Sequence, residues 1–283
     1  MIQTILMILC AVVFHLCFNK TARRVPNFKG VPVICSYGIP ETVYMAAAAI
    51  ILTKLPYDFI NRDLLPVTGH QIFMGRAIVF VTGAMCVLGA LDDFYGTREV
   101  GGFKGHFRML IKEHKLTTGA VKALGGGLVG VIFAAVSFFS RMIPADMIIP
   151  AALIVPLSAN TVNILDLRPG RAAAAFFAGI IVTLIFAAKL LLPMSAVYAV
   201  LAIIFIFAVF DSRAKMMMGD AGSNSIGAFA GVISALACPL WFNIIAILFH
   251  IGIQLYSEKH SITKLIAENK VLNKIDRIIG VRD

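Results

Sequence analysis

Nine stretches of this chain, 2–18, 42–58, 72–90, 120–139, 146–165, 172–190, 194–210, 224–238 and 240–256, are apolar over about the length a helix needs to cross a bilayer. In hydrocarbon every backbone N–H and C=O must find its partner inside the protein, so such stretches are read as helices. The expected fold is therefore all-α, a polytopic membrane bundle of about nine transmembrane helices. Composition agrees, with 59% hydrophobic and only 14% charged residues and a mean hydropathy of +0.89, beyond what is usual for a soluble domain. No long polar segment interrupts the runs, which gives one integral domain over 1–256 and a tail over 257–283. The eighth run is short and the second carries Lys54, Pro56 and Asp58 near its end, so either is expected to be tilted, broken or partly re-entrant.

Five cysteines, at 10, 17, 35, 86 and 238, are scattered and suggest neither a disulfide framework nor a zinc site. The first run lacks a basic leader and a small-residue cleavage site, and reads as a retained span. Basic residues concentrate in alternate loops, 19–41, 91–119, 166–171, 211–223 and 257–283, whereas the opposite loops hold only Lys54, Arg62, Arg141 and Lys189. Because Lys and Arg near span ends stay on the cytoplasmic side, the N-terminus is expected outside and the C-terminus in the cytoplasm. The net charge of +10 sits beside spans, where anionic lipid heads are the ordinary partner, so nucleic-acid binding is not expected. In the tail, Ile262, Leu265, Ile266, Leu272 and Ile275 recur near helical spacing between basic residues. That pattern suits an amphipathic helix on the membrane surface, or equally a solvated C-terminal helix.

Three acidic motifs fall in the basic loop set and hence on one side of the membrane. In "LGALDDFYGTRE", Asp92 and Asp93 close the third span. In "SANTVNILDLRPGR", Asn160, Asn163 and Asp166 recur every three residues, roughly along one helix face. In "MMMGDAGSNSIGAFAG", Asp220 stands in a glycine-rich turn with Gly219, Gly222 and Ser223. Oxygen ligands of this kind suit Mg²⁺ or Mn²⁺, held by one or two carboxylates plus phosphate oxygens and waters. Lys104, Arg108, Arg168, Arg171, Arg213 and Lys215 stand ready to take phosphate charge. Each piece also has a plain counterpart: interfacial charge, asparagines that glue helices, glycines that permit close packing. Their joint placement on one face favours a site for a phosphorylated substrate.

The three motifs, in this order, resemble those of the polyprenyl-phosphate N-acetylhexosamine-1-phosphate transferases, the group that includes phospho-MurNAc-pentapeptide translocase. "LGALDDFYG" is similar to the group's aspartate pair, "NTVNILD" to its Asn-x-x-Asn-x-x-Asp segment and "MGDAGSNSIG" to its Gly-Asp-x-Gly-Ser segment. "VPNFKGVPVICSYGIP" is a fainter echo of its first cytoplasmic loop. The resemblance implies a multi-pass cell-membrane enzyme with its site on the cytoplasmic face. There, polyprenyl phosphate attacks the sugar-linked phosphorus of a UDP-sugar to give polyprenyl-diphospho-sugar and UMP, in cell-envelope polysaccharide or peptidoglycan precursor synthesis. It implies Mg²⁺, or Mn²⁺, on Asp220 with Asp166, catalytic roles for Asp92, Asp93 and Asp166, and substrate contacts from Asn160, Asn163, Lys104, Arg168, Arg171, Gly219, Gly222 and Ser223. A homodimer is common among such proteins.

Two departures stand out. Where the group's second motif runs Asp-Gly-x-Asp-Gly, this chain has "DLRPG", with Leu167 for the first glycine and Pro169 for the second acid. The histidine-rich final loop of many members is missing, and His260 stands alone. A divergent, short member is expected. The rival readings are a catalytically inactive relative that scaffolds envelope-synthesis enzymes and a lipid or ion transporter. A transporter would place its acids near the bilayer midplane, not at span ends.

Overall fold

A computed structural model describes residues 2–27, 29–54, 69–96, 109, 117–187 and 194–280. Apart from one hairpin they form helices: α1 (Ile2–Thr21), α2 (Gly38–Lys54), α3 (Gly69–Tyr95), α4 (Thr118–Phe139), α5 (Ile148–Leu165), α6 (Arg171–Phe186), α7 (Met194–Ser212), α8 (Gly219–Ala237) and α9 (Leu240–Ser257), then the short α10 (Ile262–Glu268) and α11 (Lys270–Ile279). The segments 72–95, 118–139, 145–165 and 240–257 are long and apolar enough to cross a membrane, and 38–51, 171–186 and 197–212 are shorter apolar stretches. The protein is thus an all-helical membrane protein.

The bundle is inside-out by the standards of a soluble protein. Phe139 is 81% exposed, and Ile149 and Ile185 are each 71% exposed, on three different helices. Large apolar side chains left bare around the perimeter suit hydrocarbon, not water. The centre of the bundle is α8, buried along nearly its whole length, with Ile226, Phe229, Val232 and Ile233 at 1% exposure or less. It lies between α3 and α5, with α2 and α6 completing the shell. Its small residues permit this, since nothing projects far enough to hold neighbouring backbones apart. At Gly222 a Cβ would collide with Met218, and Gly38 Cα of α2 would lie 2.8 Å away.

Helix boundaries differ from expectation where they matter. The eighth run, expected from 224, begins at Gly219, so Asp220 is not in a turn between helices but in the first turn of α8. The third run continues to Tyr95, which places Asp92 and Asp93 inside the last turns of α3. The tail is two helices broken at Asn269, whose side chain accepts the N–H groups of Val271 and Leu272 at 3.0 Å and so caps α11.

The first loop, read in sequence only as a faint echo, folds as an antiparallel hairpin of β1 (Arg24–Pro26) and β2 (Pro32–Ile34). Asn27 shapes its turn, accepting from the N–H groups of Lys29 and Val31 at 2.9 and 3.1 Å. It also donates through Nδ2 to the Ala214 carbonyl at 3.0 Å. The Met217 N–H donates to Ile34 O at 3.0 Å, and the Tyr37 and Gly38 N–H groups donate to Met217 O and Met218 O at 3.0 and 3.1 Å. The hairpin is therefore fastened to the strand-like approach to α8, and its residues become one wall of a cavity.

Candidate active site

Where α3, α5, α7 and α8 meet the hairpin, a cavity of about 750 Å³ opens, lined by Asp92, Asp93, Asp166, Asp211 and Asp220 together with Arg23, Arg168, Cys35 and Met216–Gly219. Five carboxylates converge on one space, and the two aspartates of the first motif behave differently within it.

Asp93 is turned to the start of α8. Its Oδ1 accepts the Asp220 N–H at 2.9 Å, and its Oδ2 accepts the Ala221 N–H at 3.1 Å and the Ser36 hydroxyl at 2.7 Å. The opening N–H groups of a helix have no partner within it and carry a partial positive charge, so a carboxylate is the natural cap. The residue before α8, Met218, has no side chain able to cap, and Asp93 supplies the cap from another helix. Gly219 is required for this approach: its φ is +70° and a Cβ there would lie 2.7 Å from Asp93 Oδ2. Ser36, fully buried and itself left-handed at φ +57°, is held there by the bond to Asp93.

Asp92 instead joins Asp220 and Asn163 around one cation. Lys122 Nζ, reaching in from the first turns of α4, donates to Asp220 Oδ2 at 2.5 Å, Asp92 Oδ2 at 3.2 Å and Asn163 Oδ1 at 3.4 Å. Asn163 Nδ2 donates onward to Ser223 Oγ at 3.0 Å, and Ser223 donates to Gly219 O at 3.0 Å. All three sequence motifs are thereby tied through one lysine. Sequence reading passed over Lys122, although its signal was present: a lone cation within an apolar helix is costly and calls for a partner.

Asp211, at the end of α7, also escaped notice. It accepts the Gly170 N–H at 2.7 Å and the Met218 N–H at 3.4 Å, joining the turn after α5 to the entry of α8. Asp166, just beyond α5, faces this group. Burial first, and then the charges of Asp211, Asp220 and Asp93, raise its pKa well above the ordinary carboxylate range. Burial likewise pushes the Cys35 thiol up, which leaves it a poor nucleophile.

The other expected residues divide. Arg168 lines the cavity, whereas Arg171 is buried and grips Asp276 of α11, Nε to Oδ1 at 2.8 Å and Nη2 to Oδ2 at 3.0 Å. Asn160 is half-buried one turn deeper in α5 than Asn163. Gly222 and Ser223 are in the packed interior of α8. Lys104 and Arg108 lie outside the described residues.

Among the described residues, no three His, Cys, Asp or Glu side chains converge closely enough to cage a metal ion. The donor set nevertheless fits one kind of divalent site. Mg²⁺ needs only one or two carboxylates when phosphate oxygens and water complete its shell, and Asp220, Asp166 and Asp92 border the same cavity. The excess of acids over bases there also calls for a cation.

Residues 76–238 match the family described as glycosyl transferase family 4. That span holds all three motifs, Lys122 and Asp211. No curated protein matches the chain at a significant level.

Proposed function

The chain belongs to glycosyl transferase family 4, and on that premise we propose that it moves a sugar-1-phosphate from a UDP-sugar to a polyprenyl phosphate and releases UMP. An oxygen of the lipid phosphate attacks the sugar-linked phosphorus; the new P–O bond forms as the bond to the UMP oxygen breaks. The observation that carries the reading is the junction of Asp92, Asn163 and Asp220 on Lys122 inside a cavity rich in carboxylates. With both chain ends placed as the loop charges indicate, this cavity opens on the cytoplasmic face, where a nucleotide sugar arrives from water and the lipid from the bilayer.

Asp220 and Asp166, with Asp92 beside them, would hold Mg²⁺ or Mn²⁺, which neutralises the diphosphate and stabilises charge developing on the departing UMP. Lys122 holds Asp92 and Asp220 in register and presents positive charge to the phosphates. Arg168 and Arg23, on the cavity wall, take further phosphate charge. Asp92, the member of the pair not engaged in capping, positions the lipid phosphate or accepts its proton. Asp93 acts on the site through α8, whose first turn it fixes.

The test is UMP release by purified protein with undecaprenyl phosphate, Mg²⁺ and a panel of UDP-sugars. One sugar should support release, and Asp220→Asn should abolish it while the protein still folds and inserts. Full activity in that variant would sink the assignment of Asp220. A second reading, an inactive relative that scaffolds envelope-synthesis enzymes, is favoured by Pro169 standing where the second motif's second acid is expected. Calorimetric titration with Mg²⁺ and a UDP-sugar together separates the two: an inactive scaffold gives no Asp220-dependent heat.

A further inference from the structure

The Arg171–Asp276 ion pair makes the C-terminal helices part of the cavity's support. Asp276 and Arg171 are 9% and 6% exposed, and the guanidinium meets the carboxylate through two nitrogens while a third donates to Thr263 of α10 at 3.2 Å. Arg171 directly follows the 166–170 turn, which carries Asp166 and Arg168 into the cavity. Ile279 of α11 backs the same turn: a Cβ on Gly170 would come within 3.0 Å of Ile279 Cγ2.

The rest of α11 is amphipathic, and its apolar side is left largely uncovered by the described residues. At about 100° per residue, Val271, Ile275 and Ile278 fall within an arc of about 60°, and they are 67%, 47% and 77% exposed. Lys270, Lys274 and Arg277, all exposed, flank one edge of that arc; Asp276 and Ile279, turned to the protein, lie toward the other. The pair of helices leaves directly from the end of α9, whose Leu248, Phe249 and Leu255 are 61–64% exposed, as side chains facing hydrocarbon are. The apolar arc thus emerges at the membrane surface with cations beside it, the arrangement of a helix lying in the headgroup layer.

We propose that α10 and α11 rest on an anionic phospholipid surface and, through Arg171–Asp276, brace the 166–171 turn of the cavity against it. The apolar arc enters the headgroup boundary, the cations meet lipid phosphates, and the ion pair carries the support to the turn.

The full-length protein in nanodiscs tests this without reference to turnover. A fluorophore on Ile278→Cys, in a background without other cysteines, should be quenched by lipid-borne quenchers in discs containing phosphatidylglycerol. The quenching should fall severalfold in phosphatidylcholine alone, or when Lys270, Lys274 and Arg277 are changed to Glu. No quenching in either disc, equal quenching in both, or shielding that depends on protein concentration, which would mean a second copy of the chain, each overturns the lipid surface. For the brace, amide hydrogen exchange across 166–171 should quicken severalfold both in Asp276→Ala and in the charge-reversed variant, which keeps the ion pair. Unchanged exchange in the charge-reversed variant overturns the coupling even if Asp276→Ala fails to fold.

Discussion

At the scale of single residues, the paired aspartates show how neighbours with one charge can have separate work. Asp93 closes the open N–H groups of α8 and holds Ser36, so Asp93→Ala should cost about 1–2 kcal/mol of stability, the range for loss of a helix cap. Thermal unfolding in detergent reads this directly. Asp92→Ala should leave the unfolding temperature nearer the parent's and instead depress UMP release, since its carboxylate meets Lys122 beside the cavity while Asp93 supplies the cap of α8. Lys122→Met should lower turnover about a hundredfold, on the scale of removing one preorganised charged donor from a site. A variant that kept normal turnover would remove Lys122 from the mechanism. The carboxyl groups of this pair were legible in the sequence because two adjacent acids at a span end are conspicuous, as the lone Asp211 at the end of α7 is not. Their partition was not, because it depends on which of two adjacent side chains faces α8.

At the scale of elements, the site depends on how closely α8 can be approached. Gly222 stands against Gly38 of α2, so any side chain there must push the two helices apart. Gly222→Val should destabilise the protein by about 1–3 kcal/mol, the usual cost of overpacking a tight interior. It should also loosen the hairpin, because the Gly38 and Tyr37 N–H groups that fasten it bond carbonyls just before α8. Thermal unfolding together with amide exchange over 24–38 measures both effects. Hydrophobic runs located the helices well, since the bilayer requirement leaves its mark over many residues. They misplaced the start of α8, because a Gly-Asp-x-Gly-Ser sequence resembles a turn unless a carboxylate from elsewhere caps it. The hairpin was not legible as strands, since each is only three residues long and its partners lie beyond residue 213.

At the scale of the whole molecule, the exposed apolar perimeter and the polar cavity divide the protein into a lipid-facing body and one reactive end. If that end faces the cytoplasm, Leu167→Cys, at an exposed position on the cavity rim, should react with a membrane-impermeant thiol reagent only from the cytoplasmic side of sealed vesicles. Labelling from the outer face would reverse the orientation. The sequence by itself determined that the chain is helical and membrane-borne, and that its three acidic motifs resemble those of one transferase group. These properties are written in runs of residues and in local spacing. Only the tertiary structure decided that Lys122 joins the three motifs, that Asp93 caps α8 as well as bordering the cavity, that Asp211 ties α7 to the turn after α5, and that Arg171 is committed to the tail. Each of these is a pairing across tens of residues or more, set by which helix faces meet, and local spacing carries no record of that.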